Sequence, residues 1–404
     1  MTAQVDDVAR RSLFGNSIHT LIFEPQKHGV CAMTHKVSET PVVDQKSTGT
    51  CWLQAALTML STRAKTAHDV EVRFSVSYLA YYDKLGKARV YLKRMRDGDL
   101  SREWKWHLRQ DPVTDGGTWG MFAHLVKTHG LLTHESMRAT HQCTHTSQMN
   151  GYLNQFLRSI GPSADLDAVD AQVVRMLGLC YGIDPYQPLQ NLGEHAGVHP
   201  SELLHKVLPG FDLDEYVVLA HSPSRALHSP TTCYFGAYYN DPATPTQDRF
   251  MTQDMSVIVE RSVAELRNGF AVWITADVRI DFSSRNGIAA VDVLDVGPIL
   301  GISPHDKRDK ALRMENGNTA PVHAMLLTGV QLDETTHQPV AWRLQNSWGK
   351  KGVKKGFVEI TDEWFRKHVF QVAVHAHESC TCVNPADPIG LTPWDVFSTV
   401  ARGF

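Results

Sequence analysis

Four side chains in this 404-residue sequence could together activate a thiol. Cys51 closes a polar, turn-rich run, DQKSTGT, and opens a long apolar stretch in which Trp52, Ala55, Ala56, Met59 and Leu60 recur at helical spacing. A sulfur in the first turn of a helix lies near free backbone N–H groups and the positive end of the dipole, which favour thiolate over thiol. A free cysteine at the head of a core helix is ordinarily just a small hydrophobe, so the chemistry depends on partners. His323 heads the apolar run VHAMLLTGVQL, Asn346 ends the alternating run AWRLQN, and Gln45 stands just upstream of Cys51. Singly, such a histidine is ordinarily a satisfied core residue and such an asparagine a turn former. As a set they supply what thiol hydrolysis needs: a sulfur ionised by an imidazole, an amide to orient the ring, and a donor aimed at the oxyanion.

The elements that position them follow from periodicity. The Cys51 stretch predicts a buried helix to about Lys65. Residues 74–96 predict a second helix or helix pair with Ser75 as N-cap, and Trp119 to Lys127 a third, stopped by Gly130. Before it, Asp115, Gly116 and Gly117 form a turn whose paired glycines permit close backbone approach. Residues 147–208 read as mostly helical. TTCYFGAYY and FAVWITADV read as strands on either side of the helical VERSVAELRNG, and residues 281–320 as surface loops with room for a short helix. The last third is strand-rich: 322–332, 341–349, 356–360 and 369–374 predict an antiparallel sheet, with the short helix TDEWFRKH before its last strand. A helical half thus carries the cysteine and a β-rich half the histidine and asparagine, which places a cleft between them.

Composition sets the class. At 42% hydrophobic and 21% charged the chain is an ordinary globular protein. A net charge of −3 gives no general attraction to nucleic acid; RVYLKRMRDG and WGKKGVKKG are the local basic runs, and both read as solvated faces. No run of about 18 apolar residues occurs and the N-terminus lacks an apolar signal core, so neither a membrane span nor secretion is expected. Seven scattered cysteines do not form a disulfide framework, and a reducing, cytoplasmic setting is expected.

The blocks QKSTGTCW, PVHAM and QNSWGKKGVKKGFVEIT resemble the papain-like cysteine peptidases. With SVSYLAYYDKL, TDGGTWGM, TDEWFRKHVFQVAV and DPIGLTPWD, and with the long gap from Cys51 to His323, the chain is similar to the bleomycin hydrolase and aminopeptidase C branch. The resemblance implies an α+β, two-lobed fold with a large, mainly helical insertion. Residues 1–43 would be a lead-in wrapping the core, 44–135 the helical lobe, 136–270 the insertion, 271–383 the β-rich lobe and 384–404 a tail entering the cleft. It implies a cysteine-type aminopeptidase with no cofactor. Cys51 would be the nucleophile, His323 its proton partner, Asn346 the ring's orienter and Gln45 the oxyanion donor. Trp348 would shield the His323–Asn346 bond, Gly116 and Gly117 would line the non-primed side, and the tail carboxylate at Phe404 would capture the amine of peptide substrates with a free N-terminus. A homohexamer is also implied. Beyond Asp395 the chain continues VFSTVARGF, longer than the family's tail, so Phe404 overshoots unless the tail is trimmed or bulged.

Two other readings are open to the sequence. HQCTH (141–145) and HAHESCTC (375–382) gather zinc-ligating residue types, but at spacings that match no common finger. A tail-blocked, catalytically idle scaffold with a binding role, nucleic acid included, would keep the fold without an activated thiol.

Overall fold

The computed structural model describes residues 2–24, 32–97, 100–161, 163–184, 187, 189–223, 231–236, 248–302, 309–380 and 386–398. The chain starts with helices, α1 (Thr2–Gly15) and α2 (Ile18–Leu21), in the part expected as a lead-in. Val8 and Phe14 of α1 are exposed, and Asp7 pairs with Arg10 and Arg11 at helical spacing. A short strand, β1 (His35–Lys36), precedes the polar run that leads to α3 (Cys51–His68).

Helix α3 is the axis of the front half. From Cys51 to Thr62 every residue is buried, and the helix ends at Asp69 in the left-handed region, φ 52°. It packs on one side against α4 (Val76–Asp97) and α6 (Trp119–His129), and on the other against the sheet. Ser75 Oγ accepts from Tyr78 N at 3.3 Å and caps α4, as expected. Helix α5 (Arg102–Gln110) lies between them in sequence. Thr118 caps α6, and Gly130 ends it at φ +73°, where a Cβ would stand 2.2 Å from the Pro200 carbonyl. After the short α7 (His141–Thr144), the expected helical stretch comprises α8 (Ser147–Ser159), α9 (Leu166–Tyr181) and α10 (Pro200–Val207).

Beyond α10 the chain turns to strands sooner than its composition suggested. β2 (Tyr216–Ala220), β3 (Cys233–Phe235) and β4 (Arg249–Thr252) precede α11 (Met255–Arg267) and β5 (Val272–Ala276). The stretch read as loops holds β6 (Phe282–Ser283), β7 (Ile288–Ala289), α12 (Gly297–Leu300) and α13 (Lys310–Glu315). Then come β8 (His323–Leu332), β9 (Pro339–Gln345), β10 (Phe357–Thr361), α14 (Asp362–His368), β11 (Val369–His375) and β12 (Ile389–Gly390).

All twelve strands join one sheet, in the order β12-β3-β4-β2-β11-β5-β8-β9-β10-β7-β6, with β1 added on β8. The sheet is mixed. The central pairs β11–β5, β5–β8, β8–β9 and β9–β10 are antiparallel, as the sequence implied, whereas β2–β4, β7–β10 and β3–β12 run parallel. The class is α+β. Strands β5 and β11 are apolar runs buried on both faces because α3 and α11 cover one or other side of the central sheet. Register places Ala276 opposite His323, so the catalytic candidate enters at the edge of the best-packed part of the molecule.

Trp52 ties the halves together. It is wholly buried, its indole N–H donates to the Asp115 carbonyl at 2.8 Å, and its own carbonyl accepts from Trp273 at 3.1 Å. The indole also fills the place where a side chain on Gly117 would sit, 2.5 Å from a Cβ there. Burying such a ring contributes about 1.5–3 kcal/mol or more, and the glycine is what lets the turn approach it. One expectation about cysteines is corrected: Cys233 is disulfide-bonded, while Cys51, Cys143, Cys180 and Cys380 are free. Scattered spacing conceals a pairing made only by the folded chain. Among the described residues no helix is long and apolar enough to cross a membrane.

Candidate active site

The start of α3 is held against the back sheet by a short run of backbone bonds. Gln45 N donates to Ser347 O at 2.8 Å and Gly349 N to Val43 O at 2.9 Å. Gly349 has φ +73°, and a Cβ there would stand 2.8 Å from an Asp44 carboxylate oxygen, so the strands can close only around a glycine. Ala324 N, next to His323, donates to Cys51 Sγ at 3.4 Å. These bonds bring Cys51, His323, Asn346, Gln45 and Trp348 to one place, though they come from both halves of the chain.

The hydrogen bonds fix the imidazole tautomer. His323 Nε2 lies 2.8 Å from Asn346 Oδ1, and Ser347 N donates to that same oxygen at 2.7 Å. The backbone donor identifies the oxygen as an acceptor, so Nε2 carries a proton in this bond and Nδ1 is the basic nitrogen. Trp348 stacks on the ring, centroids 4.6 Å apart and planes 28° apart, and Phe282 meets Trp348 edge-on. The indole lies over the ring that makes the His323–Asn346 bond. Gln45 is equally constrained: Oε1 accepts from Ser347 Oγ and Nε2 donates to Thr48 O, both at 2.6 Å. Its amide has a second N–H to offer.

Cys51 and His323 are almost completely buried. Burial pushes the Cys51 thiol up to about 12, and the Asp115 carboxylate adds to this. The N–H groups of Ala324, Trp52 and Cys51 itself pull the other way. Burial pushes His323 down to about 4, opposed by its bond to Asn346. Over a wide pH range the two groups therefore hold one proton between them, a titration that belongs to the pair. The helix start alone suggested a lowered thiol pKa; its N–H donors are present, but desolvation outweighs them.

Beneath the thiol lies a charged platform that sequence reasoning missed. Asp115 accepts from Lys84 Nζ at 2.5 Å, Gly49 N at 3.0 Å, Asn150 Nδ2 at 2.8 Å, and the Thr146 hydroxyl. Burial would raise its pKa, but the Lys84 ammonium and these donors hold it well below the usual carboxylate range. Lys87 pairs with Asp83 at 2.7 Å and donates to the carbonyls of Thr114 and Gly116. One carboxylate thus joins the catalytic loop to α4 and α8. The available signal was Asp83, Lys84 and Lys87, charges set within the otherwise apolar face of SYLAYYDKLGKA. Gly116 and Gly117 are buried beside Trp52, with the Gly116 carbonyl taken by Lys87. Phe404 lies outside the described residues.

A cavity of about 550 Å³ opens beside this centre, bounded by Gln45, Gly49, Asp115, His323 and Trp348 and, from the other side, by Asp111 and the first turns of α8. A larger groove of about 1210 Å³ runs between α4 and α9 and contains none of these residues. In the zinc-like runs, the rings of His141 and His145 stack on each other and His375 bonds to Glu265, while residues 381–382 lie outside the described part. Among the described residues no cluster of three or more His, Cys, Asp or Glu is placed to hold a metal.

A thiol at a helix start, a base of defined tautomer from a facing sheet and an amide donor at the cavity edge define a cysteine peptidase. A family model described as the Peptidase C1-like family matches residues 7–170 and 186–398, and the chain belongs to that family. It is 26% identical to bleomycin hydrolase of Rattus norvegicus over 89% of this chain and 86% of that one. It is 27% identical to bleomycin hydrolase of Homo sapiens, over 90% and 86% of the two chains, and 27% identical to aminopeptidase C of Streptococcus thermophilus, over 90% and 87%. The crystal structure of pepw from Lactobacillus rhamnosis superposes with a TM-score of 0.84 at 23% identity, covering 96% of this chain and 94% of that one, and shares its fold.

Proposed function

We propose that this cysteine peptidase is an aminopeptidase that removes residues from peptides with a free N-terminus. His323 Nδ1 takes the Cys51 thiol proton as sulfur attacks the scissile carbonyl, forming the S–C bond. The second Gln45 N–H and the Cys51 backbone N–H receive the oxyanion. Collapse expels the amine of the shortened peptide, which takes its proton from the imidazolium. Water, deprotonated by Nδ1, then cleaves the thioester, releases the residue as a carboxylic acid and restores the thiol. Asn346 keeps the ring in its working tautomer and Trp348 keeps that bond dry. Gly116 and Gly117 support the non-primed side. The observation that carries the reading is the double acceptor at Asn346 Oδ1, which leaves Nδ1 as the base on the strand that bonds Cys51 Sγ. The aminopeptidase assignment draws on the relatives named aminopeptidase C. The family likeness also carries the expectations of a homohexamer, of a cytoplasmic setting and of a tail ending at Phe404 in the cleft.

The test compares aminoacyl arylamides with a free amine and their N-acetyl forms. The free-amine reporters should be hydrolysed and the acetylated ones barely so. Cys51→Ala should melt like the parent and lose all turnover. A parent inactive on both, or a Cys51→Ala protein that still turns over, contradicts the reading.

A further inference from the structure

The basic run WGKKGVKKG is solvated, as its sequence suggests, but the fold sets it against the catalytic residues. Trp348, which stacks on His323 and bounds the cavity, begins the run. Backbone bonds then fix the loop that follows. Gly349 N donates to Val43 O at 2.9 Å, Asn346 N to Gly356 O at 2.9 Å, Gly356 N to Lys351 O at 3.1 Å and Val353 N to Arg285 O at 3.0 Å. Lys350, Lys351 and Lys355 project from it, exposed and without an ion pair among the described residues, while Lys354 is paired with Glu359.

The carboxylate that lies against this loop is already committed. Asp44 Oδ1 accepts from Lys46 N at 3.0 Å and its Oδ2 from Lys46 Nζ at 2.7 Å. Burial opposes its ionisation, but Lys46 and, more weakly, the charge of Lys351 hold its pKa below the usual carboxylate value. Lys46 directly follows Gln45, has a left-handed backbone at φ 55°, and lines the cavity with Trp348 and His323. Lys46 and Asp44 cancel in charge, which leaves the three loop lysines as uncompensated positive charge beside the cavity.

Proton transfer decides which end of the substrate meets them. The expelled amine takes its proton from His323, so the leaving peptide starts at the imidazole, and the Trp348 indole over that ring is the surface it crosses next. An extended chain advances about 3.3–3.6 Å per residue, so the loop comes within reach in the first two or three residues.

We propose that Lys350, Lys351 and Lys355 make the leaving side of the cleft selective for a carboxylate within the first few residues after the cut, supplied by an acidic side chain or by the C-terminus of a short peptide. This rests on the catalytic assignments of the peptidase reading. Solvated ammonium groups act chiefly on capture and orientation of the substrate, and their effect fades as salt screens them.

The test measures initial release of alanine from Ala-Glu-Ala-amide, Ala-Gln-Ala-amide, Ala-Lys-Ala-amide and the free acid Ala-Gln-Ala. With the parent at low salt, kcat/KM should be about five- to tenfold higher for the Glu than for the Lys peptide, mostly through KM, and the ratio should shrink to within about twofold in about 0.5 M NaCl. A gain for the Glu peptide alone assigns the selectivity to acidic side chains; a gain for the free acid over its amide alone assigns it to peptide C-termini. Lys351→Glu should lower the carboxylate preference by about threefold or more, yet hydrolyse alanine 4-nitroanilide, which has no residue beyond the cut, as the parent does. Lys206→Glu, the same charge change on the exposed face of α10, should leave the preference in place. The proposal is overturned if the parent shows no preference for either carboxylate, if Lys351→Glu leaves the preference intact or slows the anilide equally, or if Lys206→Glu weakens it as much. Should Lys351→Glu fail to fold, Lys350→Glu decides by the same ratio. Acetylated peptides cut as readily, with the same preference for Glu, would refute the aminopeptidase reading and leave this selectivity standing.

Discussion

Two buried polar clusters lie back to back around the start of α3, and burial acts on them differently. In the platform, Asp115 with Lys84 and Asp83 with Lys87 are opposite charges in contact; Asp115 also accepts from Gly49 N, Thr146 and Asn150, and Lys87 also donates to two backbone carbonyls. Each charge has a permanent partner, so Asp115 stays ionised despite its burial. In the catalytic pair, burial drives Cys51 up to about 12 and His323 down to about 4, and no fixed counter-charge opposes it. Permanently paired charges hold a loop in place; groups that share one proton can pass it back and forth. The difference separates scaffold from chemistry among polar groups that are all largely withdrawn from solvent.

Changes to the two clusters should therefore fail in different ways. The largest effect is expected for His323→Ala, which should reduce kcat by about 10⁴-fold or more with the melting temperature little changed, since it removes half of a unit that acts together. In the platform the effect should be on stability. Asp115→Ala strands a buried lysine and should cost about 3–5 kcal/mol in urea unfolding, whereas Asp115→Leu combined with Lys84→Met should be far milder. If the single change is silent in stability but abolishes turnover, the division between the clusters is wrong. Gln45→Ala should lower kcat by about 10²–10³-fold, the loss of one oxyanion donor, with KM affected less.

The smallest effect concerns acid stability. His323 is pushed below its ordinary value of 6.5, so the unfolded chain binds more protons and stability falls as pH drops from 6.5 towards about 4. Asp115 is held below 3.8, so its contribution is present above that value and lost further down. Unfolding free energies measured from pH 7 to 3 should fall throughout. His323→Gln should flatten the upper part of that range and leave the lower part unchanged.

The proposed catalytic residues were legible because each sits where a pattern changes. Cys51 ends a turn-rich run and starts a helical repeat, His323 heads an apolar strand, and Asn346 closes an alternating one. Gln45 and Trp348 were found through neighbours in the chain. Most of the fold was legible for the same reason, from α3 and α6 to the central antiparallel strands. The exceptions have physical causes. Helix α1 is held by local charge pairs and leaves Val8 and Phe14 exposed. Strands β2 and β4 are too short for their alternation to stand out from a helical neighbourhood, whereas β3 falls inside the predicted strand TTCYFGAYY. The ties from Asp115 to Gly49, Lys84 and Asn150 join parts of the chain whose spacing gives no hint of contact. Nor does any local pattern reveal how deeply a helix start is buried, and that depth sets the Cys51 pKa.

The shared proton is tested most directly by the pH dependence of iodoacetamide alkylation at Cys51, read by peptide mass. In the parent, alkylation should rise with an apparent pKa near 4 as the pair sheds its first proton, stay nearly level through neutrality, and rise again only towards about 12. In His323→Ala the first rise should vanish. A parent profile with a single rise at the ordinary thiol pKa, unchanged by His323→Ala, would contradict the account.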